Sequence, residues 1–310
     1  MSNQKPVICL MGPTASGKTD FAIQLVNHYP LDIISVDSTY VYKELEIGSA
    51  KPTAKEREKA PHRLIDICEP NENYSVGRFL EDVNREIADI YAKQKIPLLV
   101  GGTLLYFYIL QNGMADLPSS HPELREKIEE EAEKKGWKAL HQQLMSIDPS
   151  LQQHIHANDK QRIQRALELY YLTDQKPSEL QAQIRMNPHY SFHNIIIAPD
   201  DRKLLHERIA VRFNLMLENG LIDEVKNLRA RGDLNLTMPS MRAVGYRQVW
   251  QYLDGDFDYD TMRNKSLAAT RQLAKRQFTW LRRWPNALRL ITGNSDLLDQ
   301  FEVKIWRDIE

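Results

Sequence analysis

The chain carries a phosphate-binding pattern between an apolar run and a helical pattern. Residues Gly12-Pro13-Thr14-Ala15-Ser16-Gly17-Lys18-Thr19 match the motif G-x-x-x-x-G-K-[ST]. The backbone N–H groups of such a loop, at the positive end of a helix, hold a diphosphate or triphosphate. Lys18 adds a positive charge, and the Thr19 hydroxyl is a ligand for Mg²⁺. These eight residues predict a phosphate site; the alternative is a glycine-rich turn with a fortuitous lysine.

Three further sites in the sequence lie at the ends of predicted strands, at the edge of an open α/β sheet where ligands bind. Asp37 comes directly after an apolar run, in a position that suits a Mg²⁺ ligand, a general base or a turn cap. Asp66, near the end of the next run, competes for the metal role. Gly101-Gly102-Thr103 follows a fourth run. Its glycines permit close approach of a ligand, and Thr103 either hydrogen-bonds that ligand or caps a helix.

An arginine lies on the apolar side of the helical pattern at residues 201–219. The residues that share this side are Leu205, Ile209, Arg212 and Met216. An inward arginine of this kind extends to solvent or forms a structural ion pair, or it holds a leaving pyrophosphate. The residues alone leave these interpretations open.

A basic segment and two smaller stretches indicate contact with a polyanion. Residues 261–284 include no Asp or Glu, in a chain of net charge −1, which favours RNA or DNA binding over a solvated helix face. The basic residues of this segment are Arg263, Lys265, Arg271, Lys275, Arg276, Arg282 and Arg283. Residues 161–165 and 242–247 add Arg, Gln and Tyr, which contact unstacked bases, although surface helices would also explain them.

The hydrophobic pattern predicts the elements that position these residues. Short apolar runs indicate buried parallel strands at residues 7–11, 32–36, 63–68, 96–100, 194–198 and 288–291. Helical periodicity follows the phosphate loop at residues 18–29 and predicts a crossover helix at residues 75–93. The predicted fold class is α/β, with a P-loop NTPase-like parallel sheet flanked by helices.

The middle of the chain interrupts this strand and helix alternation. From His121 to about Gln183, Glu- and Lys-rich helical segments continue without a strand-like run. We therefore expect a helical insertion domain at residues 117–192. Residues 1–116 and 193–310 would form the α/β core, which ends in the basic helices.

Composition excludes several classes of protein. With 310 residues, 42% apolar and 27% charged, the chain is ordinary for a globular protein and unlike a disordered, collagenous or disulfide-scaffold protein. Its longest apolar region, residues 98–110, is shorter than the roughly 20 residues that cross a bilayer, and the start lacks a secretory pattern. Cys9 and Cys68 are predicted to be buried free thiols. We expect a cytoplasmic protein that does not enter membranes.

Seven motifs, in order along nearly the whole chain, resemble those of the bacterial tRNA dimethylallyltransferase family, also called tRNA isopentenyltransferases. They are the phosphate loop at residues 12–19, Ser35-Val-Asp-Ser38, Ile47-Gly-Ser-Ala-Lys-Pro52, Ala60-Pro-His-Arg63, Gly101-Gly-Thr103, Arg242-Ala-Val-Gly-Tyr-Arg247 and Arg271-Gln-Leu-Ala-Lys-Arg276. The match is specific because these motifs recur together in the same order. Ala243, where some members carry Cys, is a small departure.

The resemblance implies a reaction. A dimethylallyl group would move from dimethylallyl diphosphate to N6 of the adenosine 3′-adjacent to the anticodon, in tRNAs that read codons beginning with U. The phosphate loop then holds the leaving diphosphate, whose charge Lys18, Thr19 with Mg²⁺ and Arg212 would stabilise. Asp37 is the candidate base for the N6 proton. Thr103 would hydrogen-bond or place the adenine, which must leave its stack.

The resemblance also implies where the anticodon stem-loop of tRNA binds. The predicted contacts, with two residues from the basic segment, are Asp37, Ser38, Thr39, Tyr40, Thr103, Arg125, Gln161, Arg162, Ile163, Gln164, Arg165, Arg242, Ala243, Val244, Gly245, Tyr246, Arg247, Arg271 and Lys275. We expect a monomer, and ATP binding to the phosphate loop stays open. The main alternative is a P-loop small-molecule or nucleotide kinase, which leaves the basic segment unexplained. A non-catalytic RNA-binding ATPase module is another.

Overall fold

A computed structural model describes residues 4–185 and 189–309. The chain folds as two compact units, one formed by Met1–Phe107 with His189–Glu310 and the other by Tyr108–Pro188. Residues 1–3, 186–188 and 310, which belong to the predicted domain ranges, lie outside the described residues. Within the described ranges, no helix is both long enough and apolar enough to cross a membrane.

The first unit starts with strands that alternate with helices. The elements are β1 Lys5–Met11, α1 Lys18–His28, β2 Leu31–Val36, α2 Ala54–Lys59, β3 His62–Arg63, α3 Val76–Ala92, β4 Ile96–Gly101 and α4 Leu104–Asn112. Strands β1, β2 and β4 are buried along most of their length, which explains their continuous apolar runs. Helix α3 begins after Ser75, whose side chain accepts the N–H of Arg78.

The second unit is mainly helical. Its elements are β5 Met114–Ala115, α5 Pro122–Lys135, α6 Trp137–Ile147, a 3₁₀ helix at Pro149–Gln153, α7 Lys160–Thr173, α8 Pro177–Ala182 and β6 Ile184–Arg185. Helices α5, α6 and α7 pack on a core that includes Ile128, Leu140, Leu144 and Leu167. Strands β5 and β6 form a small antiparallel sheet, which the sequence did not predict.

The remaining elements complete the first unit. They are β7 Tyr190–Ala198, α9 Arg202–Glu218, α10 Leu221–Ala230, α11 Tyr246–Leu253, α12 Tyr259–Leu281, β8 Leu288–Ile291, α13 Leu297–Lys304 and a 3₁₀ helix at Trp306–Asp308. Helix α12 is the predicted basic segment. It ends at Leu281 rather than at residue 284, because Pro285 follows closely and disfavours helical backbone in the residue before it.

The strands of the first unit form one parallel sheet in the order β3-β2-β4-β1-β7-β8. Its register aligns Met11 of β1 with Gly101 of β4, and Gly101 with Val36 of β2. The loops that follow these three strands therefore leave the sheet side by side, at its carboxyl edge. The prediction of a P-loop NTPase-like parallel sheet flanked by helices is confirmed.

One sequence prediction of local structure was wrong. The strand expected at residues 63–68 consists only of His62–Arg63, because Leu64 and Asp66 have φ values of 60° and 58° and turn the chain. The compact units divide after Phe107 and Pro188, near the predicted domain limits at 116/117 and 192/193. Residues 114–115 belong to the second unit because they pair with residues 184–185.

Candidate active site

The phosphate loop connects β1 to α1. It starts at Gly12, where a Cβ would lie 2.3 Å from the carbonyl oxygen of Ile197 in the neighbouring strand, so no larger residue fits. Gly17 precedes the helix with φ 83°, a conformation that glycine adopts at low cost. The loop thus brings the first N–H groups of α1 to the carboxyl edge of the sheet, as an anion site requires.

Lys18 is a cation without an anionic partner in direct contact, among the described residues. Its Nζ donates to the carbonyl oxygens of Gly12, at 3.0 Å, and Pro13, at 2.7 Å. Burial lowers the pKa of Lys18 to about 7; the charge of Asp37 opposes this shift, and that of Arg212 adds to it. An anion such as phosphate, bound between Lys18 and Arg212, would raise the pKa of the lysine and restore its charge.

Arg212 of α9 lies at the same site, as the helical spacing predicted. Its Nη2 donates to the carbonyl oxygen of Ala50 at 3.4 Å, and the hydroxyl of Tyr40 donates to that oxygen at 2.8 Å. Burial and the charge of Asp37 raise the pKa of Tyr40 to about 12, so its hydroxyl stays neutral and donates. Tyr40, predicted as a tRNA contact, therefore belongs to the pocket that holds Arg212.

Asp37 and Thr103 are joined through the loop that follows β2. The Oδ1 atom of Asp37 accepts the N–H and the hydroxyl of Thr39, at 2.9 and 2.6 Å. Thr103 Oγ1 accepts the N–H of Ser38 at 2.9 Å and donates to its hydroxyl at 3.3 Å. Thr39 thus orients the Asp37 carboxylate, and Oδ2 receives no hydrogen bond from the described residues. An oxygen in that position is available to a substrate proton or a metal ion.

The site fits a phosphate with Mg²⁺ better than a metal held by protein alone. Within the described ranges, no group of three or more His, Cys, Asp or Glu residues could hold a metal ion. Magnesium commonly binds through one or two protein oxygens together with substrate phosphate and water. Thr19 and Asp37 are such oxygen donors, and both line the cavity. The buried hydroxyls of Ser16 and Ser35, also in its wall, have no partner among the described residues.

A cavity of about 1220 Å³ contains all these groups, and every residue that lines it belongs to the first unit. Sites for one drug-sized ligand commonly measure about 300–1,000 Å³, so this volume suits two reactants. Apolar side chains of α9 and α4, among them Leu204, Val211, Leu215 and Leu105, form part of its wall although each is at least 40% exposed. The cavity therefore combines a polar phosphate end with apolar surface.

One loop of the cavity wall depends on a carboxylate that the sequence did not single out. Glu224 of α10 accepts the N–H groups of Glu46, Ile47 and Gly48 at 2.7–3.1 Å, and the hydroxyl of Tyr246 at 2.6 Å. Tyr246 is fully buried, so the prediction that its side chain contacts tRNA is wrong: it anchors this loop. No spacing or motif distinguishes Glu224 from an ordinary helical glutamate.

Other parts of the predicted stretch at residues 242–247 lie at the surface or in the cavity wall. Arg242 and Arg247 are exposed, whereas Ala243, Val244 and Gly245 line the cavity. Only the two arginines can present charge to a nucleic acid. The stretch is thus divided between the interior and the surface, and it does not form a continuous contact surface.

Asp66 is not a metal ligand in this structure. Its two oxygens accept from Lys51 Nζ, at 2.5 Å, and from Arg57 Nη1, at 2.8 Å. The side chain of Lys51 is completely buried and also bonds the carbonyl oxygen of Tyr42. The carboxylate of Asp66 neutralises this buried ammonium, so the expectation that it competes for the metal role was wrong.

In the second unit, most predicted tRNA contacts are structural. The buried carboxylate of Glu168 accepts from Arg125 at 3.0 Å and from Arg165 at 2.6 Å, which lowers the pKa of Glu168 against the effect of burial. Ile163 is fully buried in the helical core, and Gln164 is buried and donates to Glu129 at 2.8 Å. The predictions that the Ile163 and Gln164 side chains contact tRNA were therefore wrong. Two predicted residues of this stretch remain exposed, Gln161 and Arg162.

Helix α12 has a basic exposed face. Of its predicted cations, Arg271, Lys275 and Arg276 are exposed, and none has an acidic partner among the described residues. Just beyond the helix, Arg283 lies over the ring of Trp280 at 4.4 Å. Arg263 donates to Asn214 at 3.0 Å and Lys265 lies 4.4 Å from the centre of the Phe257 ring. The free positive charge is thus concentrated around residues 271–276.

Comparison with known proteins gives this site a family. The models for IPP transferase and isopentenyl transferase match residues 40–284 and 5–67. The tRNA dimethylallyltransferase of Coxiella burnetii (strain RSA 493 / Nine Mile phase I) is 52% identical over 300 residues, which are 96% of each chain. That of Legionella pneumophila (strain Paris) is 52% identical over 284 residues, 92% of this chain and 91% of its own.

Solved structures agree with this comparison. The full-length tRNA isopentenylpyrophosphate transferase from Bacillus halodurans superposes with a TM-score of 0.71 at 33% identity, over 98% of this chain and 96% of its own. A eukaryotic dimethylallyltransferase acting on tRNA gives 0.80 at 26% identity, over 98% and 77%. The fold and the phosphate loop define an α/β enzyme of the P-loop class. The chain belongs to the IPP transferase family, the tRNA dimethylallyltransferases.

Proposed function

We propose that this protein transfers the dimethylallyl group of dimethylallyl diphosphate to N6 of the adenosine 3′-adjacent to the anticodon of tRNA. The relatives named above are tRNA dimethylallyltransferases, and the chain shares their family across nearly its whole length. One observation carries the proposal at the level of the site. A single cavity brings together the cations Lys18 and Arg212, whose charges act on each other, and the carboxylate of Asp37.

The phosphate end of this cavity would hold the diphosphate of the donor. Backbone N–H groups of the phosphate loop at the start of α1, with Lys18 and Arg212, supply the positive charge. A Mg²⁺ ion bound by Thr19 and the diphosphate would further stabilise the negative charge of the leaving group. Leu204, Val211 and Leu215 offer apolar surface for the dimethylallyl group. The role of the lysine and the arginine is electrostatic and grows as the leaving group separates.

The chemical step breaks the allylic C–O bond, and its electron pair leaves with the diphosphate. The N6 lone pair of adenine forms the new C–N bond, and the nitrogen then loses a proton. Asp37 Oδ2 would accept that proton, since Thr39 already occupies Oδ1. Thr103, held by the Ser38 N–H, lies beside the carboxylate and would hydrogen-bond the adenine.

The adenosine must leave the anticodon stack to reach this carboxylate. Exposed residues of the predicted set that would bind the stem-loop are Gln161, Arg162, Arg242, Arg247, Arg271 and Lys275. Arginine and lysine would contact phosphates, which gives affinity without sequence preference. Ser38, exposed beside Thr103, would meet the target nucleotide.

The test is to incubate the protein with dimethylallyl diphosphate, Mg²⁺ and unmodified tRNA, and to analyse the nucleosides by mass. We expect an adenosine that is heavier by one dimethylallyl group, with one diphosphate released for each group transferred. The matched controls are Lys18→Ala and free adenosine in place of tRNA, both with turnover reduced by orders of magnitude. Transfer of phosphate from ATP to a small molecule, with unchanged tRNA, would instead identify a kinase.

A further inference from the structure

Gln277 of α12 connects the two loops on which the proposed reaction depends. Its Oε1 accepts the N–H of Thr14, in the phosphate loop, at 2.9 Å. Its Nε2 donates to the carbonyl oxygen of Gly102, in the loop before Thr103, at 2.9 Å. Only 8% of the residue is exposed, and no motif or charge marked it as functional. The amide therefore spans the donor side and the acceptor side of the cavity.

The neighbours of this amide fix its position. A Cβ at Gly102 would lie 2.5 Å from Gln277 Nε2 and 3.5 Å from the carbonyl oxygen of Gly12, so glycine is required for the close approach of both loops. The opposite polarity of the two ends also matters, because a single side chain must accept from one loop and donate to the other. Gln carries the acceptor and the donor on two separate atoms of one amide; Asn does too, but it is one methylene shorter.

We infer that Gln277 is a positioning residue that sets the separation of the phosphate loop and the Gly102 loop, so that donor and adenine meet in reactive geometry. The inference rests on the proposed function for its kinetic consequence. Gln277 binds backbone groups of both loops and acts on the reactants through Thr14 and Thr103. Loss of the bridge allows the two loops to separate, and a displacement of about 1 Å costs roughly a hundredfold in rate.

The same helix gives the bridge a link to the nucleic acid. Arg271, Lys275 and Arg276 lie on the exposed side of α12, whereas Ala274, Gln277 and Leu281 lie on its buried side. A phosphate backbone held by the basic side would fix the helix that carries the amide. Docking of tRNA and alignment of the two loops would then depend on one rigid element.

The first test removes the bridge without changing the size of the side chain much. In Gln277→Met we expect the rate of transfer, kcat, to fall about a hundredfold, while the affinities for inorganic diphosphate and for tRNA change less than about threefold. The matched control is Gln24→Met, an exposed position on α1 outside the phosphate loop, which should retain the wild-type rate. Thermal unfolding of both variants separates this effect from a general loss of folding.

A second variant should show a pH dependence of the rate that a purely structural role of Gln277 would not produce. Gln277→Glu keeps an acceptor for the Thr14 N–H, but an ionised carboxylate cannot donate to Gly102. Once protonated, the acid has one donor and one acceptor and reproduces the bridge. Its rate relative to wild type should therefore rise as the pH falls, whereas that of Gln277→Met should not. Equal pH profiles for the two variants, or wild-type kcat in Gln277→Met, would overturn the inference.

Hydrogen exchange distinguishes this inference from the proposed function. The Thr14 amide should exchange faster in Gln277→Met than in the wild type, whatever reaction the enzyme performs. If the wild type transfers no dimethylallyl group, the proposed function fails, and the exchange result alone decides whether the bridge exists. Unchanged exchange at Thr14 refutes the bridge even in an enzyme with full transferase activity.

Discussion

Diphosphate binding should take up protons above neutral pH, because of the state of Lys18. Burial lowers the pKa of this lysine to about 7 from its ordinary value of 10.5, so the free protein carries an increasingly neutral amine above pH 7. A bound anion favours the ammonium and raises the pKa again. The binding reaction therefore includes protonation of Lys18 in the window between these two values. Below pH 7 the lysine is already charged, and little uptake remains.

The size of this effect follows from the pKa. At pH 8, about nine-tenths of the free protein would carry neutral Lys18, so about 0.9 of a proton is bound with each diphosphate. The contribution of Lys18 to affinity should fall by up to about tenfold for each pH unit above 7, or about 1.4 kcal/mol. At pH 6 the uptake by Lys18 should be only about 0.1 of a proton.

Calorimetric titration with inorganic diphosphate, in two buffers that differ in ionisation enthalpy, measures the number of protons directly. Diphosphate itself titrates in this range, so the comparison is with Lys18→Arg, whose guanidinium stays charged at every pH used. The wild type should take up about 0.9 more proton than the variant at pH 8 and nearly the same number at pH 6. Equal uptake by both proteins at pH 8 would refute a neutral Lys18 in the free site.

Three further predictions concern other parts of the molecule. Asp37→Asn should lower kcat by about a hundredfold or more and leave tRNA affinity unchanged, as single-turnover rates and filter binding will show; activity regained at higher Mg²⁺ would make Asp37 a metal ligand. Changing Arg271 and Lys275 together to Ala should reduce the salt dependence of tRNA affinity by about two counterions, and an unchanged slope excludes them. Glu168→Gln should destabilise the helical unit by about 3 kcal/mol in urea unfolding, and an unchanged unfolding midpoint would show that the two arginines do not depend on its charge.

The sequence predicted the parts of the site that directly follow the strands of the sheet. The phosphate loop, Asp37 and Thr103 each follow a buried apolar run, and parallel strands bring such positions to one edge. The position of Arg212 could also be predicted, because helical spacing fixes which side of α9 it occupies. These features depend on local pattern and on one topological rule.

Contacts between segments that are distant in sequence could not be predicted in this way. Glu224 and Gln277 bind backbone N–H and carbonyl groups, which every residue carries, so nothing in the partner sequences reveals them. The resemblance implied tRNA contact for Arg125 and Arg165, and their ion pairs with the buried Glu168 add a structural role that the sequence did not reveal. Asp66 was misassigned as a metal ligand because nothing in the sequence identifies Lys51 as its ion-pair partner.

The position of β1 in the sheet has a consequence for synthesis of the chain on the ribosome. Seven residues of β1 pair with β7, whose partners are Tyr190–Ile196, so one edge of the first strand stays open until the whole helical unit has been translated. The helical unit is contiguous and can close its own core during that interval. An open, apolar strand edge is prone to pairing with other chains, and nascent chains that stall before residue 196 should therefore aggregate or require a chaperone.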